Sequence, residues 1–427
     1  MGRVVRILSE PLPSAQGPCM KILQIMPQYP WPTIDGGKVG LANIALQYVA
    51  QGHEVHLICY HDAPVEPLSI HGLHVHIIDH APRNTPWRIA HSLLRRRALY
   101  MFKHDTAELT AVVDQIITRE HIDVIHADHT CMAPIAREAS LKHGIPWGFR
   151  LHNVEWMIWD RYAEKFPVWH PSRWYLSLQA ARIRREESQL LADADVVFAI
   201  TPVDRDRALE MAPHANIVIA PAGVDPTQWS HEGLLNDLLE DLREALLEDR
   251  FVVVMASTYR WVHNVDALQW FVDKVWPLVR AGVPDAEFHV IGSDPPAWLF
   301  VEGGQGIVVR GFVDDLAGAY ANANVSVAPL FVGSGMRLKI IEAMAAGLPV
   351  VATTISAEGI ELFESDGLFR YDEPEQMAEG IMELLRDRPA SRELGVCAQQ
   401  AVAAKYTWAA SVGVMLRAFV TLKSGAE

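Results

Sequence analysis

Cysteine is scarce: four in 427 residues, at positions 19, 59, 131 and 397, without the spacing of a disulfide scaffold or a zinc module. A stapled secreted domain and a cysteine-ligated metal site are both excluded, and a reduced, cytoplasmic setting is expected. Long hydrophobic runs are also missing. No stretch reaches the roughly 20 apolar residues that span a bilayer. Residues 1–19, with Arg3 and Arg6, lack the apolar centre of a signal peptide and read as an N-terminal extension. Positive charge is short as well, with 37 Lys and Arg against 52 Asp and Glu, a formal net charge of −15. The deficit is lopsided: residues 1–220 hold 22 basic and 23 acidic side chains, the remainder 15 and 29. An acidic body neutralises few phosphates, so no general nucleic-acid partner is expected. The asymmetry implies two bodies with different partners.

Apolar residues make up 50% of the chain, enough over this length for two or three domains. They fall into strand–loop–helix units, and the most informative unit runs from Val325 to Gly359. Val325-Ser326-Val327-Ala328-Pro329-Leu330 reads as a buried strand. Gly333-Ser334-Gly335-Met336-Arg337-Leu338-Lys339 reads as a loop. A helix follows, with Ile340, Ile341, Met344 and Ala345 on its apolar side, ending at Gly347 with Pro349 beyond. Pro349 to Thr354 is a second strand. The glycines allow close backbone approach to a ligand. The helix start directs unpaired N–H groups at one spot, and Arg337 and Lys339 add cations there. The set suits a diphosphate, and Glu342, one turn into the helix, suits a ribose diol.

Several other segments bear on function. A strand over 21–27 is followed by a loop holding Asp35-Gly36-Gly37, then a helix from about Lys38 to Gln51. These glycines do not follow the Gly-x-Gly-x-x-Gly spacing of a dinucleotide fingerprint, yet they lie after a first strand, where doubly wound sheets bind ligands. His71, His74, His76 and His80 surround a strand; no second ligand group accompanies them at fixed spacing, and no metal site is assigned. Pro86 to Lys103 mixes Trp87, Leu93, Leu94 and Arg95-Arg96-Arg97. It reads equally as a helix at a bilayer interface or as one packed on the sheet with its arginines in water. Asp123 to His129 and Pro146 to Glu155 are strands with polar ends, the second ending Arg150-x-His152-Asn153-x-Glu155. Arg161 and a helix to about Leu191 follow, and Asp193-x-Asp195 resembles a metal motif but reads as the turn into a strand. Residues 230–250 read as an acidic helix.

The segment from Gly333 to Val351 resembles the signature of retaining glycosyltransferase family 4, of GT-B fold. Glu342, Ala343, Gly347, Pro349, Val350 and Val351 match it, while Ser334 stands where the family has its first glutamate. The resemblance extends from Met20 to about Trp408. It implies an α/β chain of two doubly wound Rossmann-like domains facing across a cleft. Residues 20–220 would form the acceptor domain and 221–400 the donor domain, with 401–427 as a helix crossing back. It implies transfer of a sugar, with retention, from a nucleotide-sugar donor to a glycan, lipid-linked or small-molecule hydroxyl acceptor, in polysaccharide, glycolipid or cell-envelope glycan synthesis. No cofactor and no metal are implied, the nucleotide-sugar being a substrate, and contact with the cytoplasmic membrane face through the N-terminal domain is compatible. Catalytic roles fall on His152, Arg337, Lys339 and Glu342. Donor contacts fall on Gly36, Gly37, Arg260, Phe312, Val313, Ser334, Gly335, Glu358 and Gly359. Where many members carry an arginine and a lysine for the diphosphate, this chain has Thr258 and His263, so Arg337 and Lys339, with Arg260, are the expected substitutes. A nucleotide-sugar 2-epimerase and a non-catalytic sugar-nucleotide binding subunit are the alternatives.

Overall fold

A computed structural model describes residues 19–33, 36–63, 65–229, 250–302, 305–332 and 335–425. The acidic stretch 230–249, Ser334 and most of the N-terminal extension lie outside them. The chain forms two compact units, one of residues 1–221 with 411–427 and one of residues 222–410.

The first unit holds seven parallel strands: β1 Lys21–Met26, β2 Glu54–His61, β3 Leu73–Asp79, β4 Val124–Asp128, β5 Trp147–Leu151, β6 Val196–Ala199 and β7 Ile217–Ile219. Their order is β3-β2-β1-β4-β5-β6-β7. The second holds β8 Phe251–Ala256, β9 Ala286–Ile291, β10 Ile307–Gly311, β11 Val325–Ala328, β12 Val350–Ala352 and β13 Leu368–Arg370, in the order β10-β9-β8-β11-β12-β13. Both are the Rossmann order, in which the chain runs outward from a central strand, then crosses over and runs the other way. Loops leaving the two strands at that crossover diverge, and the gap between them receives ligands.

Parallel sheets of this kind are covered on both faces, which is why their strands are apolar runs without alternation. β8 illustrates it. Val253 and Met255 enter a cluster with Phe271, Trp276 and Phe288, while Val252 and Val254 enter another with Ile340, Ile341 and Met344 on the opposite face. The helix Leu338–Ala345 buries the side expected from its sequence. It ends as expected too: Gly347 has φ +79°, and Leu348 N–H bonds back to the Ala343 carbonyl at 3.0 Å. The final helix, Trp408–Gly425, belongs to the first unit from Ser411 onward, where it packs Phe419 on Phe198 and ties Lys423 to Asp123 at 2.6 Å.

Some boundaries differ from the sequence expectation. The helix placed at Lys38 begins at Gly36, so Gly36 and Gly37 form its first turn rather than a loop. Such a turn forms no internal bonds from its own N–H groups, so glycine's poor helix propensity weighs little there. The single helix expected to run to Leu191 is two, Glu155–Glu164 and Pro171–Asp193, the second opened by a proline. Asp193 and Asp195 have separate partners, Arg137 at 2.7 Å and the Trp147 N–H at 2.9 Å, as a turn into β6 requires.

Gly292, just past β9, sits where the loop after β8 presses inward. Its φ is +135°, and a Cβ there would lie 1.6 Å from the Ser257 carbonyl oxygen. Gly292→Ala is expected to destabilise the protein by more than about 2 kcal/mol through strain and displacement of that loop. A thermal melt checks it: an unchanged midpoint would contradict the close approach.

Candidate functional site

In the second unit the crossover lies between β8 and β11. The loop after β8 carries Ser257, Thr258 and Arg260 and leads into the helix Val262–Trp270. The loop after β11 leads to Gly335, whose φ of +75° suits glycine, and to Arg337, the N-cap of the helix Leu338–Ala345. Lys339 therefore lies in the first turn of that helix, where the sequence pattern predicts the end of the loop. Its ammonium reaches across the crossover, donating to Ser257 Oγ at 2.9 Å and to Asn264 Oδ1 at 3.3 Å. Asn264 is itself oriented by donating to the Thr258 carbonyl at 2.8 Å. The Arg337 guanidinium donates back to the Gly335 carbonyl at 2.9 Å, bracing the turn.

Burial lowers the Lys339 ammonium to about 7, with Arg337 adding to the shift and Glu342 opposing it. Burial raises the Glu342 carboxyl to about 7, Lys339 opposing. Burial thus holds both groups near their neutralisation points.

The other second-unit candidates fall at the same end of the sheet. Arg260 is exposed and pairs with Asp294 at 3.3 Å. Thr258 Oγ1 lies 3.1 Å from Ser293 Oγ. At the end of β10, Phe312 is exposed and Val313 packs into the Ile340 cluster. The loop after β12 carries Glu358 and Gly359, the latter at φ +77°. That loop is latched to the one after β11, because Ser356 Oγ accepts the Leu330 N–H at 2.9 Å and Thr353 Oγ1 donates to the Leu330 carbonyl.

In the first unit the carboxyl ends of β4 and β5 form a second polar cluster. His152 Nε2 lies 2.7 Å from Asp128 Oδ1, and Gln24 of β1 donates to Asp128 Oδ2 at 3.1 Å. His129, held at φ +93°, stacks its ring on His152 with centroids 3.7 Å apart. Arg150 Nη1 is 3.4 Å from the same His152 nitrogen. Burial opposes the charge of Asp128. The hydrogen bond and charge of His152, with His126 and Arg150, nevertheless hold its carboxyl well below the usual carboxylate range. An ionised carboxylate only accepts, so His152 Nε2 carries the proton of this bond. Asp128 was recognised in sequence only as a polar strand end; its signal was a carboxylate closing an otherwise apolar run.

Glu155, grouped with His152 in sequence, leaves that cluster. Its N–H, at the start of Glu155–Glu164, donates to Glu187 Oε1 at 3.1 Å. Burial and the neighbouring Glu155 raise the Glu187 carboxyl to about 8, and burial raises Glu155 to about 7.

Two parallel units in Rossmann order, each with polar side chains gathered at the carboxyl ends of its central strands, define a GT-B protein. Residues 35–223 match the family described as "Glycosyl transferase 4-like domain", and residues 250–387 match "Glycosyl transferases group 1". The chain belongs to the group 1, family 4-like glycosyltransferases, and it is a glycosyltransferase. Among solved structures it resembles sucrose-phosphate synthase from Thermosynechococcus elongatus, at 17% identity and TM-score 0.68 over 95% of this chain and 100% of that one. It also resembles Anabaena HepE, crystallised with UDP and glucose, at 17% identity and TM-score 0.62 over 93% and 98%. A third is WaaG, a glycosyltransferase involved in lipopolysaccharide biosynthesis, at 13% identity and TM-score 0.63 over 91% and 97%. No curated protein sequence matches the chain.

The buried carboxyls give a pH prediction. Glu187 has a folded value raised from 4.5 to about 8, so its stabilising contribution is full below 4.5 and is lost as pH rises through about 8. The melting midpoint is expected to fall between pH 5 and pH 8.5, and Glu187→Gln to flatten that fall. Parallel profiles for wild type and variant would contradict the assignment.

Proposed function

We propose that this glycosyltransferase takes a nucleoside diphosphate sugar in its second unit and transfers the sugar, with retention, to a hydroxyl acceptor. The observation that carries the reading is the placement of Lys339 and Glu342 at the β8/β11 crossover. A diphosphate at the N-terminus of Leu338–Ala345 meets backbone N–H groups, the Lys339 ammonium and the Arg337 guanidinium. Glu342, one turn further, is an acceptor for the ribose hydroxyls. The relatives' crystals with UDP support the ligand class. Departure from the first glutamate of the family signature, at Ser334, leaves the sugar contacts to other groups, and Glu358 with Gly359 in the adjoining loop supplies candidates.

No pair of carboxylates for a double displacement stands out among these residues. The reading is therefore a front-face transfer. The acceptor oxygen bonds to the anomeric carbon, the bond to the diphosphate breaks, and the acceptor proton passes to the departing diphosphate oxygen. The protein positions the partners and neutralises the developing charge. His152, held by Asp128, is the first unit's candidate for a sugar contact, and Gly36 and Gly37 offer N–H groups of a helix start to an anionic ligand. No step requires a cofactor or a divalent ion.

Kinetics with labelled donor test this. Arg337→Ala and Lys339→Ala are each expected to lower kcat/KM about tenfold or more, at ~1.4 kcal/mol per tenfold, and Thr258→Ala is expected to be nearly neutral. Glu342→Gln should weaken donor binding by about 1–3 kcal/mol in calorimetry. A severe Thr258 defect beside mild Arg337 and Lys339 defects would overturn the phosphate placement. Epimerised donor or unchanged donor would overturn the transfer itself.

A specific surface favours a membrane-bound acceptor or setting. No helix among the described residues is long and apolar enough to cross a membrane. The segment from Pro86 to Lys103, for which the sequence leaves the interfacial and the packed reading equal, divides: Ala98, Leu99 and Met101 are buried, while Trp87 is 75% and Leu94 82% exposed. Arg182 and Arg185 tie this segment to Pro171–Asp193 by donating to the Ser92 and Arg96 carbonyls. Leu178 and Trp174, the latter 71% exposed, stand one and two turns before Arg182, and Trp169 is exposed nearby in sequence. Exposed tryptophans among arginines suit an anionic bilayer surface. Wild type is expected to sediment with phosphatidylglycerol-containing vesicles and not with phosphatidylcholine alone, and Trp87→Ala/Leu94→Ala to stay in the supernatant. Equal behaviour of the two proteins would contradict the docking face.

A further inference from the structure

The sequence reading left His74 and His76 without a second ligand group. Strand pairing supplies one. β2 and β3 are parallel neighbours in the register His56 opposite His74 and Ile58 opposite His76. Paired residues emerge on the same face, and so do residues two apart along a strand. One face of this sheet edge therefore gathers Glu54 and His56 from β2 with His74 and His76 from β3. This is the amino end of the strands, opposite to the end that carries Asp128 and His152.

The side chains converge. Glu54 Oε1 lies 3.4 Å from His56 Nε2 and 3.2 Å from His74 Nε2, and the three ligand atoms fall within 4.8 Å of one another. Ligands about 2.0–2.1 Å from a tetrahedral zinc ion stand about 3.4 Å apart along each edge, so two of the three separations already have the required length. Lys21 engages the other oxygen, Oε2, at 3.4 Å and leaves Oε1 to the imidazoles. The rings of His56 and His74 stack with centroids 4.7 Å apart, close enough that rotation about the ring torsions brings both nitrogens onto one ion. His56 is 3% exposed; its Nδ1 has no hydrogen-bond partner, its Nε2 has only Glu54 Oε1 at 3.4 Å, and His76 Nε2 is buried without a partner. Buried polar atoms are ordinarily paired, and those that are not call for an explanation such as an ion. His74 is half-exposed and supplies the way in.

We infer that Glu54, His56 and His74 bind one divalent transition-metal ion of the zinc type, apart from the transfer chemistry. Two imidazole nitrogens and one carboxylate oxygen select zinc over magnesium or calcium, which prefer all-oxygen sets. The fourth position is left to water. The ion would clamp the edge strand β3 to β2 and add to the stability of the folded chain by mass action.

The test uses untagged, chelator-treated full-length protein and zinc chloride, with calorimetry and thermal melts as readouts. One zinc ion per chain is expected at micromolar affinity or tighter, with a raised melting midpoint and no response to magnesium chloride. His74→Ala, at an exposed position, should melt as wild type does without zinc, yet lose at least tenfold in affinity and lose the midpoint shift. Glu54→Gln should weaken binding similarly, and His71→Ala, an exposed histidine outside the cluster, should leave it unchanged. Absence of binding, or equal zinc shifts in wild type, His74→Ala and Glu54→Gln, would overturn the site and leave Glu54 as an ordinary carboxylate partner of two imidazoles.

Discussion

The contact of Lys339 with Ser257 and Asn264 joins the two loops that the crossover drives apart, and the arrangement of polar groups in the second unit hangs on it. The strand order separates the chain after β8 from the chain after β11. A side chain in the first turn of Leu338–Ala345 then spans the gap. Because the ammonium is buried, its charge is costly, and its value falls to about 7. The same burial lifts Glu342 toward neutrality from the other side.

The first unit uses the same topology with different chemistry. Its central strands carry Asp128, Arg150 and His152 at their carboxyl ends, and Asp128 joins His152 at 2.7 Å and Gln24 at 3.1 Å. Such a network contributes little stability compared with apolar packing of the same volume. It does fix ring orientation and tautomer, which a positioned sugar contact needs. The family match covers both units, so the sugar-transfer reading draws on both clusters.

Much of the second unit was legible in the linear chain. Val325 to Ala328 is a strand within the residues expected for it, Gly347 ends its helix, and the apolar side of Leu338–Ala345 is the one its periodicity shows. These features depend on near neighbours in sequence. Gly36 and Gly37 misled for a local reason, since glycine signals a loop unless the helix start has no internal bond to lose. The division of 155–193 into two helices was equally missed, although His170 and Pro171 carry the signal of a capped start.

The pairings were hidden because they join residues far apart in the chain. Lys339 meets Ser257 from 82 positions away, and Asp128 meets His152 across two strands from 24 away. Histidine spacing along β3 showed nothing about Glu54 and His56, which enter only through the register of β2 on β3. Residue order thus specified the strands, the helix ends and the family signature, since periodicity, capping and turn chemistry act over a few residues. Which polar atoms share a site was decided by strand order and register, because burial of both sheet faces against helices, and no local preference, selects them.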